Sequence, residues 1–282
     1  MRISTRRNWM IGAGGAALAV AADVIVVEPR WLSVEVKRVP IFGGKFKQPV
    51  RLVQLSDLHY SWCVSAAVIS HAFHEALNQK PDLICLTGDF VTAASWVDLN
   101  ALASLLKELS DRVPVYAVKG NHDGGFWARS YMGENDETGV EEALRLGGVK
   151  LMKNQAELIR VQGGEFWLAG VGDLWSRDVD EFSAFHPIPA GERVVVMAHN
   201  PDTKDVLTRQ SWDLMLSGHT HGSQTSVPGL REHFAPVIDK RFIAGLLRWE
   251  EQGRWIHVNR GVGNLMGFRV LCRPELSVLE LV

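Results

Sequence analysis

Leu216-Ser-Gly-His-Thr-His-Gly-Ser223 is the stretch from which the rest of the chain can be read. His219 and His221 stand two residues apart behind the apolar residues Leu214-Met-Leu216. On an extended segment that spacing puts both imidazoles on one face. Gly218 and Gly222 leave the backbone bare on either side, as a chain crowding close to a ligand requires. A His-x-His pair alone is ordinary, but here it has company. Asp57-Leu-His59, Gly88-Asp89, Gly120-Asn-His-Asp123 and Ala198-His199 each follow an apolar, strand-like run. Five strand ends supplying hard oxygen and imidazole donors read as one metal centre.

Strands are expected at residues 31–36, 50–55, 82–87, 114–118, 149–152, 157–161, 165–171, 194–198 and 212–216. Three more are expected in the strand-rich end, at 242–249, 254–258 and 276–281. Helices are expected over 64–78, 99–109, 141–146 and near 203–208. Gly43-Gly44 and Pro49 punctuate the approach to the second strand, and Gly163-Gly164 marks a hairpin turn. Strand–helix alternation early and hairpins later imply two β-sheets packed together with helices outside. The candidate ligands, from residue 57 to 221, thread nearly every strand, so one catalytic domain is expected over 28–282.

The chain has 282 residues, 46% apolar and 22% charged, with a formal net charge of −2. It is long enough for a large core. Its near-neutral balance carries no global basic field, so no nucleic-acid partner is expected. Cys63, Cys85 and Cys272 form neither a zinc spacing nor an even disulfide framework. Residues 1–27 differ in kind. Arg6-Arg7 is followed by a Gly/Ala-rich, weakly hydrophobic stretch to Ala22, short for a bilayer span. This resembles a twin-arginine export signal, an address read by the export machinery, the alternative being a frayed basic tail. It places the protein in the periplasm or on the cell envelope, the alternative being an inner-membrane anchor. Ala19-Val-Ala21 offers a cleavage site that Asp23 and Val24-Ile-Val-Val27 blur.

The donor set fits phosphoester hydrolysis. Water and a phosphate ester are both electron-rich, so a catalyst must supply hydroxide and neutralise developing charge. Two metal ions about 3.5–4 Å apart do both. Two dications that close repel by roughly 18 kcal/mol at an effective dielectric of 20, so a carboxylate must bridge them. Asp89, beside Gly88 and behind the buried run 82–87, is the candidate bridge. Mixed imidazole, carboxylate and amide ligation points to Mn, Fe or Zn.

The ordered pattern Asp57-x-His59, Gly88-Asp89, Gly120-Asn121-His122-Asp123, His199 and Gly218-His219-x-His221 resembles the calcineurin-like metallophosphoesterase superfamily across residues 45–282. That resemblance implies a four-layer αββα sandwich of two mixed sheets with outer helices, an α/β (α+β) fold. It implies that one divalent transition-metal ion takes Asp57, His59, Asp89 and His221, and a second takes Asp89, Asn121, His199 and His219. It also implies that His122 acts near the phosphate as proton donor or charge stabiliser, with Asp123 orienting its ring. Glu28-Pro-Arg-Trp31, Gly172-Asp-Leu-Trp175, Trp212-Asp-Leu-Met215, Arg260-Gly-Val-Gly263, Cys272-Arg-Pro-Glu275 and the paired-arginine leader are similar to the exported phosphodiesterases of the YaeI and YkuE type. The implied activity is hydrolysis of a phosphodiester by a metal-bridging hydroxide, on an envelope lipid or nucleotide-sugar lipid. A related chlamydial branch acts on UDP-2,3-diacylglucosamine, which is the alternative substrate. A non-catalytic metal-binding scaffold on the same fold has no need of His122.

Four further features carry expectations. Arg260 and Arg269 flank a Gly-rich segment, where they either grip a phosphate or lie at the surface. Phe126, Trp127, Tyr131, Trp175, Phe182, Phe185 and Phe234 either line a lipid or sugar pocket or pack beneath loops. Ser223 stands where many relatives have glycine, placing a hydroxyl beside the second metal. His71, His74 and Glu75 imitate a ligand cluster but read as the solvated face of a helix.

Overall fold

Among the described residues the apolar runs become twelve strands in two six-stranded sheets. The computed structural model describes residues 3–43, 48–93, 97–133, 137–161, 164–250 and 252–282; Gly44 and Gly163 of the expected turns lie outside them. The first sheet contains β1 (Ser33–Val39), β2 (Val50–Leu55), β3 (Leu83–Thr87), β4 (Val115–Val118), β5 (Lys150–Leu151) and β12 (Glu275–Leu281). Its order is β1-β12-β2-β3-β4-β5, parallel throughout except where β12 meets β2. The second contains β6 (Gln155–Val161), β7 (Gly164–Gly170), β8 (Val194–Met197), β9 (Leu214–Ser217), β10 (Gly245–Trp249) and β11 (Arg254–Val258). Its order is β10-β11-β9-β8-β7-β6, with antiparallel pairs only at its two edges.

Successive side chains of a strand point to opposite faces, and here both faces are covered. Leu52, Leu83, Val118 and Leu279 meet Phe166, Leu168, Val195 and Leu214 between the sheets. Val53, Ile84 and Ala117 turn the other way, onto the helices α2 (Ala66–Asn78), α3 (Leu99–Ser110) and α5 (Glu137–Leu146). On the far side, Val196, Met215 and Ile256 pack against Ala184, Phe185 and Leu207. Helices thus flank a pair of mixed sheets, the αββα order expected. α3 starts where Asp98 caps the Asn100 N–H at 2.9 Å, satisfying a donor the helix leaves free. His71 and His74 lie on the exposed face of α2.

Short helices in the loops have too few turns to carry a periodic signal: α4 (Phe126–Ser130), α6 (Glu181–Phe185) and α7 (Leu230–Phe234). The amino-terminal stretch forms α1 (Ile3–Ala22), which runs on through a wider helical turn at Asp23–Val27. The chain joins the body at Val24, whose carbonyl accepts the Arg269 N–H at 3.0 Å, just ahead of the 27/28 boundary read from sequence. No helix among the described residues is long and apolar enough to cross a membrane.

Candidate metal centre

β2, β3 and β4 are parallel neighbours in one sheet, and β8 and β9 in the other. Parallel strands deliver their carboxyl ends to the same side, where ligands of α/β sheets bind. Asp57 and His59 follow β2, Asp89 follows β3, Asn121 follows β4, His199 follows β8, and His219 and His221 follow β9. All seven are buried.

Asp89 sits in the middle. Its Oδ2 lies 3.3 Å from His59 Nε2 and 3.2 Å from His199 Nε2, and its Oδ1 accepts the His122 backbone N–H at 2.9 Å. His221 Nε2 is 3.2 Å from Asp57 Oδ1 and 3.0 Å from His59 Nε2, while His219 Nδ1 is 3.3 Å from His199 Nε2. Donor atoms of Asp57, His59, Asp89 and His221 lie within 4.8 Å of one another, a spacing that could hold an ion. Beside them Asn121 Oδ1 is buried with no hydrogen-bond partner among the described residues. A buried amide oxygen without a donor is costly unless a cation meets it. The residues present therefore fit divalent metal.

Backbone conformation aims these side chains inward. Asp57, His59, Asp89, His219 and His221 have φ of +50°, +46°, +55°, +69° and +52°. Each left-handed residue costs roughly 1–2 kcal/mol, and such strain collects at functional sites. The turns also need bare backbone. A Cβ on Gly218 would collide with Ser56 Oγ and Asp57 Oδ2, and one on Gly120 with the Asp89 carboxylate.

Protonation suits ligation at Asp89, His219 and His221. Burial pushes Asp89 up, but His199 and His122 overcome it and hold the carboxyl well below its usual range. Burial lowers His219 to about 3 and His122 to about 4, and takes His221 well below the ordinary imidazole value. Neutral His219 and His221 and the ionised Asp89 present lone pairs to a cation. Burial instead raises Asp57. At His199 burial is outweighed by the Asp89 and Asp57 carboxylates, which raise the ring well above the ordinary imidazole value, so a cation must displace a proton there. The rings are held from behind: His199 Nδ1 meets Thr87 O at 2.7 Å, His219 Nε2 meets Pro236 O at 3.2 Å, and His59 Nδ1 meets Thr92 Oγ1 at 3.1 Å. Such outer partners fix tautomer and orientation.

Several expected roles differ. Asp123 does not touch the His122 ring, whose Nδ1 faces Thr92 O at 3.1 Å. Asp123 is turned away and accepts backbone N–H groups of Phe90 (2.7 Å), Val91 (3.3 Å) and Gly120 (2.9 Å). It thereby fixes the loop carrying Thr92, which holds both His59 and His122. Thr92 gave no sequence signal beyond lying three residues after Asp89. Ser223 does not face the metals: its φ is +63°, and its hydroxyl donates to Arg231 O at 2.6 Å.

Arg260 and Arg269 are not phosphate grips. Arg260 is committed to Glu35 and to Glu275, the latter at 3.0 Å. Arg269 is fully enclosed and donates to the carbonyls of Arg260 (2.8 Å), Gly261 (3.1 Å), Gly263 (2.5 Å) and Cys272 (3.0 Å). Packing against Asp57 and His221, the loop it braces backs the metal centre. Arg269→Met is expected to cost roughly 3–5 kcal/mol by stranding the Arg260, Gly263 and Cys272 carbonyls. A denaturation midpoint equal to wild type would contradict this.

The aromatics divide. Trp127 lies 4.7 Å from the His122 ring and 5.8 Å from Trp175, which meets His219 edge-on at 4.3 Å; Tyr131 stacks on Trp127 at 5.3 Å. These three form a wall beside the site. Phe185 belongs to the outer core, Phe182 stacks on His186, and Phe234 packs on His233. Asp173, in the same loop as Trp175, is buried with Oδ1 lacking a partner among the described residues, and burial raises it to about 6.

Two mixed sheets whose parallel strand ends converge on buried Asp, His and Asn side chains define a metal-dependent phosphoester hydrolase. Residues 50–223 match the family model "Calcineurin-like phosphoesterase", and the chain belongs to that family. It is similar to Phosphodiesterase YaeI of Escherichia coli, 40% identical over 258 residues that cover 90% of each chain. It is also similar to the uncharacterized metallophosphoesterase YkuE of Bacillus subtilis, 26% identical over 96% of this chain and 91% of that one. UDP-2,3-diacylglucosamine pyrophosphatase LpxG of Chlamydia muridarum is 24% identical over 82% of this chain and 83% of its own.

Proposed function

We propose that this protein is a two-metal phosphodiesterase of the bacterial envelope acting on a lipid or nucleotide-sugar lipid. The observation that carries the reading is the setting of Asp89, between His59 and His199 and beside the unpartnered Asn121 oxygen. Asp57, His59, Asp89 and His221 would hold one ion, and Asp89, Asn121, His199 and His219 the other. Mn, Fe or Zn suits this donor set. When bound, such a pair activates water and neutralises charge developing on the phosphoryl group.

The chain's own residues do the rest. Thr92 O fixes the His122 ring through Nδ1, so Nε2 is the atom left for the substrate. Trp127 and Trp175 exclude water beside His122 and His219 and offer flat faces to a sugar or base. The relative that cleaves UDP-2,3-diacylglucosamine supports a second reading, in which that pyrophosphate is the substrate.

A generic chromogenic phosphodiester with Mn²⁺ tests the activity: no turnover with metal loaded would leave a metal-binding scaffold. Screening lipid extracts for a consumed species tests the substrate. Export rests on Arg6-Arg7 and the weakly apolar stretch behind it. Replacing both arginines with lysine is expected to trap the protein in the cytoplasm with lysate activity unchanged. Equal fractionation of variant and wild type would reduce the leader to a tail or anchor.

A further inference from the structure

We infer that the apolar crest where the amino-terminal helix meets the body is a docking surface for a lipid bilayer. Trp62, Met266 and Leu271 are 75%, 70% and 72% exposed, and Ile25, Val26, Val27 and Trp31 are exposed beside them. Ile25, Pro29, Arg30, Trp62, Met266 and Gly267 share a cavity of about 220 Å³, so leader and loops form one surface. Leu271 adjoins it, its N–H donating to the Glu28 carboxylate at 2.9 Å. Monomeric soluble proteins rarely expose large side chains in so continuous a patch.

Leu271 adds an independent sign. Its φ is +53°, a left-handed conformation that Gly or Asn adopts cheaply and a bulky side chain does not. An exposed leucine at such a position gains nothing for folding, which suits a side chain whose partner lies outside the chain.

Three features select a bilayer as occupant. The crest is continuous with Trp9–Val27, where Asp23 is the only charged residue, and Leu18 and Val20 of that run are exposed. Exposed tryptophans with arginines at their side are the composition of a membrane–water boundary, and here Arg273 lies over the Trp31 ring at 4.6 Å. The crest loops also belong to the metal centre. Trp62 follows His59 by three residues, and Arg269, just before Leu271, braces the loop that backs Asp57. Docking there would hold the site's edge at the lipid surface.

The test needs no turnover, so it stands or falls apart from the proposed reaction. Full-length protein would be floated with vesicles of phosphatidylethanolamine and phosphatidylglycerol, beside a Trp62→Ser/Met266→Gln/Leu271→Asn variant that keeps the helix. Matched thermal melting would show the variant folded, and Leu271→Asn alone provides a milder second variant. Wild type is expected to float, with the triple variant's bound fraction at least about tenfold lower and the single variant between them. Equal flotation of all three overturns the inference, because the helix alone would then hold the vesicle. Failure of wild type to float overturns it as well. So does a concentration-dependent dimer that the triple variant abolishes, which would make the crest a contact between copies.

Discussion

Asp89→Asn is expected to release at least one metal ion per chain and to lower phosphodiester turnover by roughly 10²–10³-fold or more. Folding does not demand this carboxylate's charge: the His122 N–H on Oδ1 can be accepted equally by an asparagine oxygen. What the substitution removes is the anion between His59 and His199. Two dications about 3.5–4 Å apart repel by roughly 18 kcal/mol at an effective dielectric of 20, and a neutral amide offsets little of that. Wild type should carry close to two transition-metal ions per folded chain by elemental analysis. A single ion in wild type, or full activity in the variant, would sink the two-metal reading.

Both the sheets and the ligands were legible for one reason. Parallel strands covered on both faces are written as short unbroken apolar runs, and each run here stops at a polar residue with a role. Leu83–Thr87 followed by Gly88-Asp89 shows this most plainly. What could not be read was which polar atom meets which. Asp123 follows His122 directly, yet its carboxylate turns to the amides of Phe90 and Val91, while Thr92, distant in sequence, takes the ring. Arg269 beside glycines fits a phosphate grip in sequence, but the carbonyls of Arg260, Gly261 and Gly263 turn toward it and the guanidinium closes on them. Backbone hydrogen-bond demand decides such cases, and composition does not show it. The crest around Trp62 has no signature in the sequence because its residues come from separate segments.

His122→Ala separates proton chemistry from metal assembly. The ring lies 4.9 Å from that of His59 and touches the Thr92 carbonyl through Nδ1, which assigns its proton there and leaves Nε2 bare. Burial lowers the imidazole to about 4, so in the free enzyme at neutral pH it holds no second proton. To act as general acid it must gain one as the anionic ester arrives, since a phosphate beside Nε2 favours the charged ring. Such catalysis contributes typically 10²–10⁴-fold, and only where the leaving group needs a proton. A nitrophenolate departs unprotonated, whereas the alkoxide of a lipid or sugar does not. The variant is therefore expected to keep near-normal metal content, to lose modest activity on nitrophenyl diesters, and to lose roughly 10²-fold or more on alkyl diesters. Equal slowing of both substrates with metals retained would mean that His122 positions the phosphate through a neutral ring, as the lowered pKa would then predict. Loss of metal would make the ring part of the centre's structure, with Thr92 and Asp89 holding it there for that purpose.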